Sequence, residues 1–207
     1  MLLTSVGSVR AIEPCAPFET RVAPELLAEM RDAAHQDRLY RVIPGQARVE
    51  FCIRHFPFQE FRGTFTHIIG GLALPAALDR QGRALLLVRT TTMEANEPDL
   101  ASLVQGNEFM DIKRFPEILF VGRDFEWYSP TRARIFGDLT LHGITRPVAF
   151  DVGIRVLDVD ANEQPTTLEL VGTSQVSRLD FDIRSRQFLV SETVRLCLSV
   201  DLRRWEE

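Results

Sequence analysis

The reactive side chains of this 207-residue chain are few, and their spacing limits the chemistry open to them. Cys52 and His55 form a C-x-x-H pair, a spacing that suggests a metal. Here the surrounding residues alternate as a strand, and strand positions three apart face opposite sides. One ion cannot use both, and structural zinc needs about four ligands, so no metal site is expected. The three cysteines, Cys15, Cys52 and Cys197, are too few and too scattered for a disulfide scaffold. Cys52 and Cys197 fall on the outward parity of their strands and would be neighbours if first and last strands met; free thiols are expected. His55 continues the inward parity of Phe51 and Ile53, and His67 that of Phe61, Gly63 and Phe65. Either could donate to a ligand carbonyl from a cavity wall, or serve as a base in a catalytic reading. A hydrogen-bonded wall histidine is the plainer alternative. His142 precedes Gly143 in a turn, where a structural role is expected. Asp124 and Glu126 share a strand face, as an acid pair or as two solvated carboxylates. Lys113, the single lysine against 23 arginines, lies in the polar run Asp111-Ile112-Lys113-Arg114 and reads as solvated. Nucleophile-elbow, dinucleotide and P-loop patterns are all absent. No catalytic residue and no cofactor is therefore assigned.

These side chains must be positioned by strands. From residue 39 the hydrophobic period is two. Val49, Phe51, Ile53 and His55 alternate with Arg48, Glu50, Cys52 and Arg54; Val148, Phe150, Val152, Ile154 and Val156 do the same, as do Val194, Leu196, Leu198, Val200 and Leu202. Further strands are expected at 39–43, 61–69, 83–92, 117–128, 132–142 and 166–178. About eight or nine alternating strands are too many for βαβ units. Closure removes the exposed edges of such a sheet, so an all-β, antiparallel up-and-down barrel is expected. Two helices break the pattern. Pro24 to Asp37 carries an apolar stripe of Leu26, Leu27, Met30 and Ala34, expected to pack on the main domain as part of an extension over 1–38, with the barrel over 39–207. Pro98 suits the first position of a helix over 97–105, with Asn96 or Glu97 as cap and Gly106 at its end. Leu100, Leu103 and Val104 share one face of it, as on a lid at a barrel mouth.

Composition narrows the function. The chain has 45% hydrophobic and 26% charged residues and a formal net charge of −5, which argues against disorder and against a nucleic-acid binder. Phenylalanine is in excess, 14 against 2 Tyr and 2 Trp. Phe adds apolar area without a polar handle, so it fills a large core or lines an apolar cavity. There is no 18-residue apolar run and no basic segment followed by an apolar one near the start. A cytoplasmic protein without a membrane span is expected, or a periplasmic one if a leader was removed. A homodimer is left open.

The densest turn signal is Gly137-Asp138-Leu139-Thr140-Leu141-His142-Gly143-Ile144-Thr145-Arg146-Pro147-Val148. It resembles the signature of the YceI family of lipocalin-like isoprenoid-binding proteins. In chain order, F-x-x-x-H from Phe51 to His55, R-G-x-F from Arg62 to Phe65, and Phe109, Asp111 and Pro116 agree with it. The segment Ser177-Arg178-Leu179-Asp180-Phe181 is also similar. The likeness covers about 39–203. It implies an eight-stranded antiparallel barrel, lipocalin-like, around a long polyprenyl or quinone-like chain, with no chemistry done on it. Where the family usually carries an Arg-Asp pair with a nearby His, this chain has Leu100, Ala101 and Leu103.

The expected function is binding and carriage or storage of a polyisoprenoid or quinone-like lipid in a barrel; the alternative is an enzyme acting on a hydrophobic ligand there, with His55 or His67 as base. Inward parity selects Phe51, Ile53, Phe65, Leu139, Leu141, Phe150 and Val152 as wall. Leu86, Val88 and Phe120 are chosen from strands apolar on both faces. Leu100, Leu103 and Phe109 would close the mouth, and His55 and His67 would face the ligand.

Overall fold

The computed structural model of the chain describes residues 15–57, 59–75, 82–186 and 188–206. Ten antiparallel strands follow the expected alternation: β1 (Leu39–His55), β2 (Gln59–Phe65), β3 (Ile68–Ala73), β4 (Arg83–Arg89), β5 (Met93–Ala95), β6 (Glu117–Ser129), β7 (Arg132–Leu141), β8 (Ile144–Val159), β9 (Pro165–Ser177) and β10 (Val190–Arg204). β1 pairs with β10 from Tyr40 opposite Arg204 to His55 opposite Val190, which closes the sheet. The other edge of β1 is shared end to end by β2 and β3. β4 and β5 share the next position, pairing with β3 and β2 respectively. Ten segments thus make an eight-stranded barrel, closed by β1 and β10, in which β5 pairs on one side only, with β2.

Three departures from strict alternation decide which side chains enter the interior. The expected strands 39–43 and 47–55 are one strand with an irregularity between Val42 and Ala47, where Gly45 adopts φ 78°. The inward set changes there from Tyr40 and Val42 to Ala47, Val49, Phe51 and Ile53. The expected strand 61–69 is two strands. Phe65 and Ile68 are both buried in the interior core, so the break at Thr66-His67 shifts the parity. His67, expected to face inward, is exposed instead. In β6 the register shifts between Gly122 and Asp124, which moves the inward set from Phe120 to Phe125 and leaves Asp124 and Glu126 exposed.

Below the cavity the interior is filled by Tyr40, Phe125 and Leu168. The Tyr40 hydroxyl donates to the Pro165 carbonyl at 3.0 Å, tying this end of β1 to β9. The turn between β7 and β8 uses two residues with positive φ, His142 at 54° and Gly143 at 73°, the pattern of a type I′ hairpin.

α1 (Pro24–Ala34) lies on the outside of the barrel. Leu27, Met30, Ala33 and Ala34 are buried against Leu39, Ala73, Leu85, Leu87 and Val121. Arg21, just before it, holds Glu117 of β6 with two hydrogen bonds of 2.9 and 2.8 Å, and Arg89 of β4 joins the same carboxylate. The helix is shorter than the expected 24–37. α2 (Pro98–Gln105) begins at the expected proline. Gly106 ends it in an extended conformation, not the left-handed one that favours glycine. Among the described residues no helix is long and apolar enough to cross a membrane.

Candidate functional site: an apolar cavity under a helix

The upper half of the barrel encloses a cavity of about 340 Å³, within the range of small-molecule sites. Phe51 of β1 stacks on Phe65 of β2 with ring centroids 5.6 Å apart and meets Phe61 at 5.9 Å. Gly63 stands opposite Phe51. A Cβ there would lie 2.3 Å from the Phe51 ring, so the glycine of the R-G-x-F motif makes room for the aromatic wall. Across the barrel, Phe120 and Phe150 meet edge to face at 5.1 Å. Leu139, Val152, Leu198 and Val200 complete the middle of the wall.

α2 covers part of the opening. Leu100, Leu103 and Val104 line the cavity yet are only half-buried, and no residue of the helix is fully buried. Phe109 and Met110, which follow the helix, are buried and also line the space. The Met110 N–H donates to the Val104 carbonyl at 3.0 Å, folding this segment back under the helix.

Polar groups gather only near the mouth. His55 lines the cavity. Its Nδ1 lies 3.3 Å from the Phe56 carbonyl oxygen, which only accepts, so Nδ1 carries the proton in that contact. Its buried Nε2 has no hydrogen-bond partner and stands 3.6 Å from Glu97 Oε1 at the start of α2. Arg178 continues the inward parity of β9 past Val176 and is 3% exposed. Its Nε donates to Ser191 O at 2.9 Å, Nη1 to Ser185 O at 3.0 Å and to Ile183 O, and Nη2 to Val190 O at 3.1 Å. Burial pushes its pKa down, and Glu192 opposes this. The guanidinium is therefore a clamp that holds the backbone of Ile183, Ser185, Val190 and Ser191 at the barrel's rim. Arg186 lines the mouth and is exposed.

Of the residues singled out in the sequence, Phe51, Ile53, His55, Phe65, Leu86, Val88, Leu100, Leu103, Phe109, Phe120, Leu139, Leu141, Phe150 and Val152 all line this one cavity. His67 does not; its backbone N–H is bonded to the Thr92 hydroxyl at the surface. The sequence reading passed over Phe61, Ile118, Leu170 and the inward face of β10, although the alternation from Val194 to Leu202 carried the signal. Arg178 stood in the sequence only as part of the family-like segment 177–181 and was given no role at the site. Cys52 is buried on the outer face between Arg62 and Arg195, with its thiol pushed up by burial. Cys197 lies diagonally across from it, opposite Glu50. Both are free thiols. His142 caps structure, with Nδ1 3.1 Å from the Phe181 carbonyl and its ring against Phe115. Among the described residues no cluster of metal-ligating side chains forms.

Comparison with known proteins agrees with this geometry. A UPF0312 protein of Pseudomonas putida strain W619 is 29% identical over 104 residues, which is 50% of this chain and 54% of that protein. A UPF0312 protein of Vibrio parahaemolyticus is 24% identical over 142 residues, 67% of this chain and 73% of that one. The chain spans about half the length of most of the curated relatives it matches. Among solved structures, Burkholderia cenocepacia BcnA superposes with a TM-score of 0.66 at 16% identity, covering 77% of this chain and 98% of that one. A polyisoprenoid binding domain from Saccharophagus degradans gives 0.61 at 11% identity, covering 80% and 98%. These likenesses show a shared fold. The YceI-like domain matches residues 40–202, the whole barrel from the first turn of β1 to the last of β10, and the chain belongs to that family.

Proposed function

We propose that the protein binds and carries a long apolar molecule, of polyisoprenoid or quinone-like type, with its tail inside the barrel and its polar end at the mouth. The observation that carries this reading is the cavity itself: space walled by Phe, Leu, Val and Ile, with polar side chains only at one end. Each methylene that leaves water for such a space contributes about 0.8 kcal/mol. Ordering a floppy tail offsets part of this gain. The neighbour from Saccharophagus degradans, a polyisoprenoid binding domain, supports the choice of ligand class. His55 is the wall group best placed to meet the polar end, because its Nε2 is buried and makes no hydrogen bond, with Glu97 at 3.6 Å. The proposed role is carriage. In the alternative, an enzyme with a histidine base, His67 is at the surface and His55, beside the Glu97 carboxylate, is the candidate base; turnover of the extracted lipid would favour it.

Mass spectrometry of an organic extract of the purified protein tests this. About one apolar lipid per chain, recovered unchanged after prolonged incubation, is the expected result. A cavity empty after mild purification, in a protein that also takes up no added geranylgeraniol, would refute it.

A further inference from the structure

The rim beside the cavity mouth is built in an unusual way for a surface in water. Phe188 is 93% exposed, Phe56 70% and Leu189 51%. Phe56 and Leu189 are adjacent, the Phe56 N–H donating to the Leu189 carbonyl at 2.8 Å, and both also line the cavity. The loop that presents Phe188 and Leu189 is held, not loose. Arg178 spends four hydrogen bonds on its backbone, and Leu189 and Val190 donate back to the Arg186 carbonyl at 2.8 and 2.9 Å. A buried arginine thus fixes a loop whose tip displays large apolar side chains to solvent. Contiguous exposed apolar side chains of this kind mark interaction sites.

Charge narrows the occupant. Across 54–56 and 182–189 the charged side chains are Arg54, Asp182, Arg184 and Arg186. Asp182 pairs with Arg184 at 2.7 Å. Arg54 and Arg186 are exposed and carry no ion pair among the described residues. These two segments therefore carry a net positive charge, with Glu97 beside His55 as a carboxylate at the same mouth, on a chain whose formal net charge is −5. Exposed aromatic and aliphatic side chains flanked by arginine match the boundary of a bilayer that carries anionic headgroups.

We propose that the rim formed by Phe56, Phe188 and Leu189, flanked by Arg54 and Arg186, docks on an anionic lipid bilayer and places the cavity mouth against it. This rests on the apolar-cargo reading, because a tail leaving the bilayer through this mouth passes between apolar walls and never crosses water. The two ideas fail separately. Docking is measured with vesicles and needs no cargo, and cargo is measured by organic extraction of the same preparation.

The test is sedimentation of the full chain with vesicles of phosphatidylcholine and phosphatidylglycerol at three to one, against phosphatidylcholine alone. The wild-type protein is expected to bind the anionic vesicles, roughly tenfold or more tighter than the neutral ones. Phe56→Ser/Phe188→Ser is expected to weaken that binding about tenfold or more, with the melting point unchanged. Arg54→Gln/Arg186→Gln is expected to remove the preference for anionic vesicles. Three results would each overturn the proposal: no sedimentation of the wild-type protein, equal binding by the two-phenylalanine variant, or a wild-type dimer that this variant converts to a monomer without any vesicle binding. The last would assign the patch to a second copy of the chain.

Discussion

Arg178 shows how one side chain can fix the geometry of a mouth. A buried guanidinium without a direct ion pair is expensive, and here four backbone carbonyls satisfy it, with the Glu192 charge nearby. Its planar fork reaches all four at once, which a lysine ammonium on a flexible stem cannot do. Arg178→Leu is expected to lower stability by about 3 kcal/mol, because carbonyls lose their donor. Arg178→Lys should recover only a small part of this. Denaturant midpoints of the two variants check it; a fully stable Lys variant would show that charge alone suffices. This residue was not legible as a clamp in the sequence, since its partners are backbone atoms up to 13 residues away. Phe51, Ile53 and His55 were legible, because β1 keeps its period of two after residue 47. His67 was misread for a physical reason. The inward parity of Phe61 and Phe65 extends only while the strand does, and it breaks at Thr66-His67, beyond the end of β2.

At the scale of elements, α2 and α1 do different work. α2 rests on the cavity with half-buried leucines, whereas Leu139 of β7 is 5% exposed inside the wall. Leu103→Glu is therefore expected to speed release of a bound lipid at a cost in stability of about 1 kcal/mol. Leu139→Glu should cost several kcal/mol, because an unpaired carboxylate would sit in an apolar interior. Off-rates and denaturant midpoints of both variants separate the roles; equal loss of stability would make α2 part of the core. α1 instead covers the outer side of β3, β4 and β6. This explains why 83–92 and 117–128 are apolar on both faces in the sequence, a pattern that left their inward sets open. Leu85, Leu87 and Val121 face the helix, and Leu86, Val88 and Phe120 face the cavity. The Arg21–Glu117 contact anchors the segment before α1. The Arg21 hydrogen bonds hold the Glu117 carboxyl below its ordinary value, against the effect of burial, with the charges of Arg21 and Arg89 adding to the lowering. A carboxyl depressed in the folded state stabilises above its unfolded pKa and loses that contribution as pH falls through the folded value. Glu117→Gln is expected to cost about 0.5–1 kcal/mol at neutral pH, and its melting point should converge on that of the wild-type protein in acid. A constant difference down to acid pH would mean that the anchor acts through shape, not charge.

For the whole molecule, alternation continues from β1 to β10, and the pairing of those two strands closes the barrel. What alternation does not determine is whether the interior fills. Inward phenylalanines can meet at the axis or line a space, and the same pattern serves both. Here they do each in turn: Phe125 joins Tyr40 and Leu168 in a packed lower half, while Phe51, Phe65, Phe120 and Phe150 stand around an open upper half. The central claim is that this upper space holds an apolar chain, and the most direct test blocks it. Val152 is 5% exposed in the cavity wall, where Val152→Trp would project an indole into the space. Titration of delipidated protein with geranylgeraniol, followed by calorimetry, compares the two proteins. The account predicts saturable binding near one lipid per chain for the wild-type protein, and about tenfold or more weaker binding for a variant that still melts cooperatively. Equal binding by a folded Val152→Trp protein would contradict it, because the lipid would then lie somewhere other than the barrel.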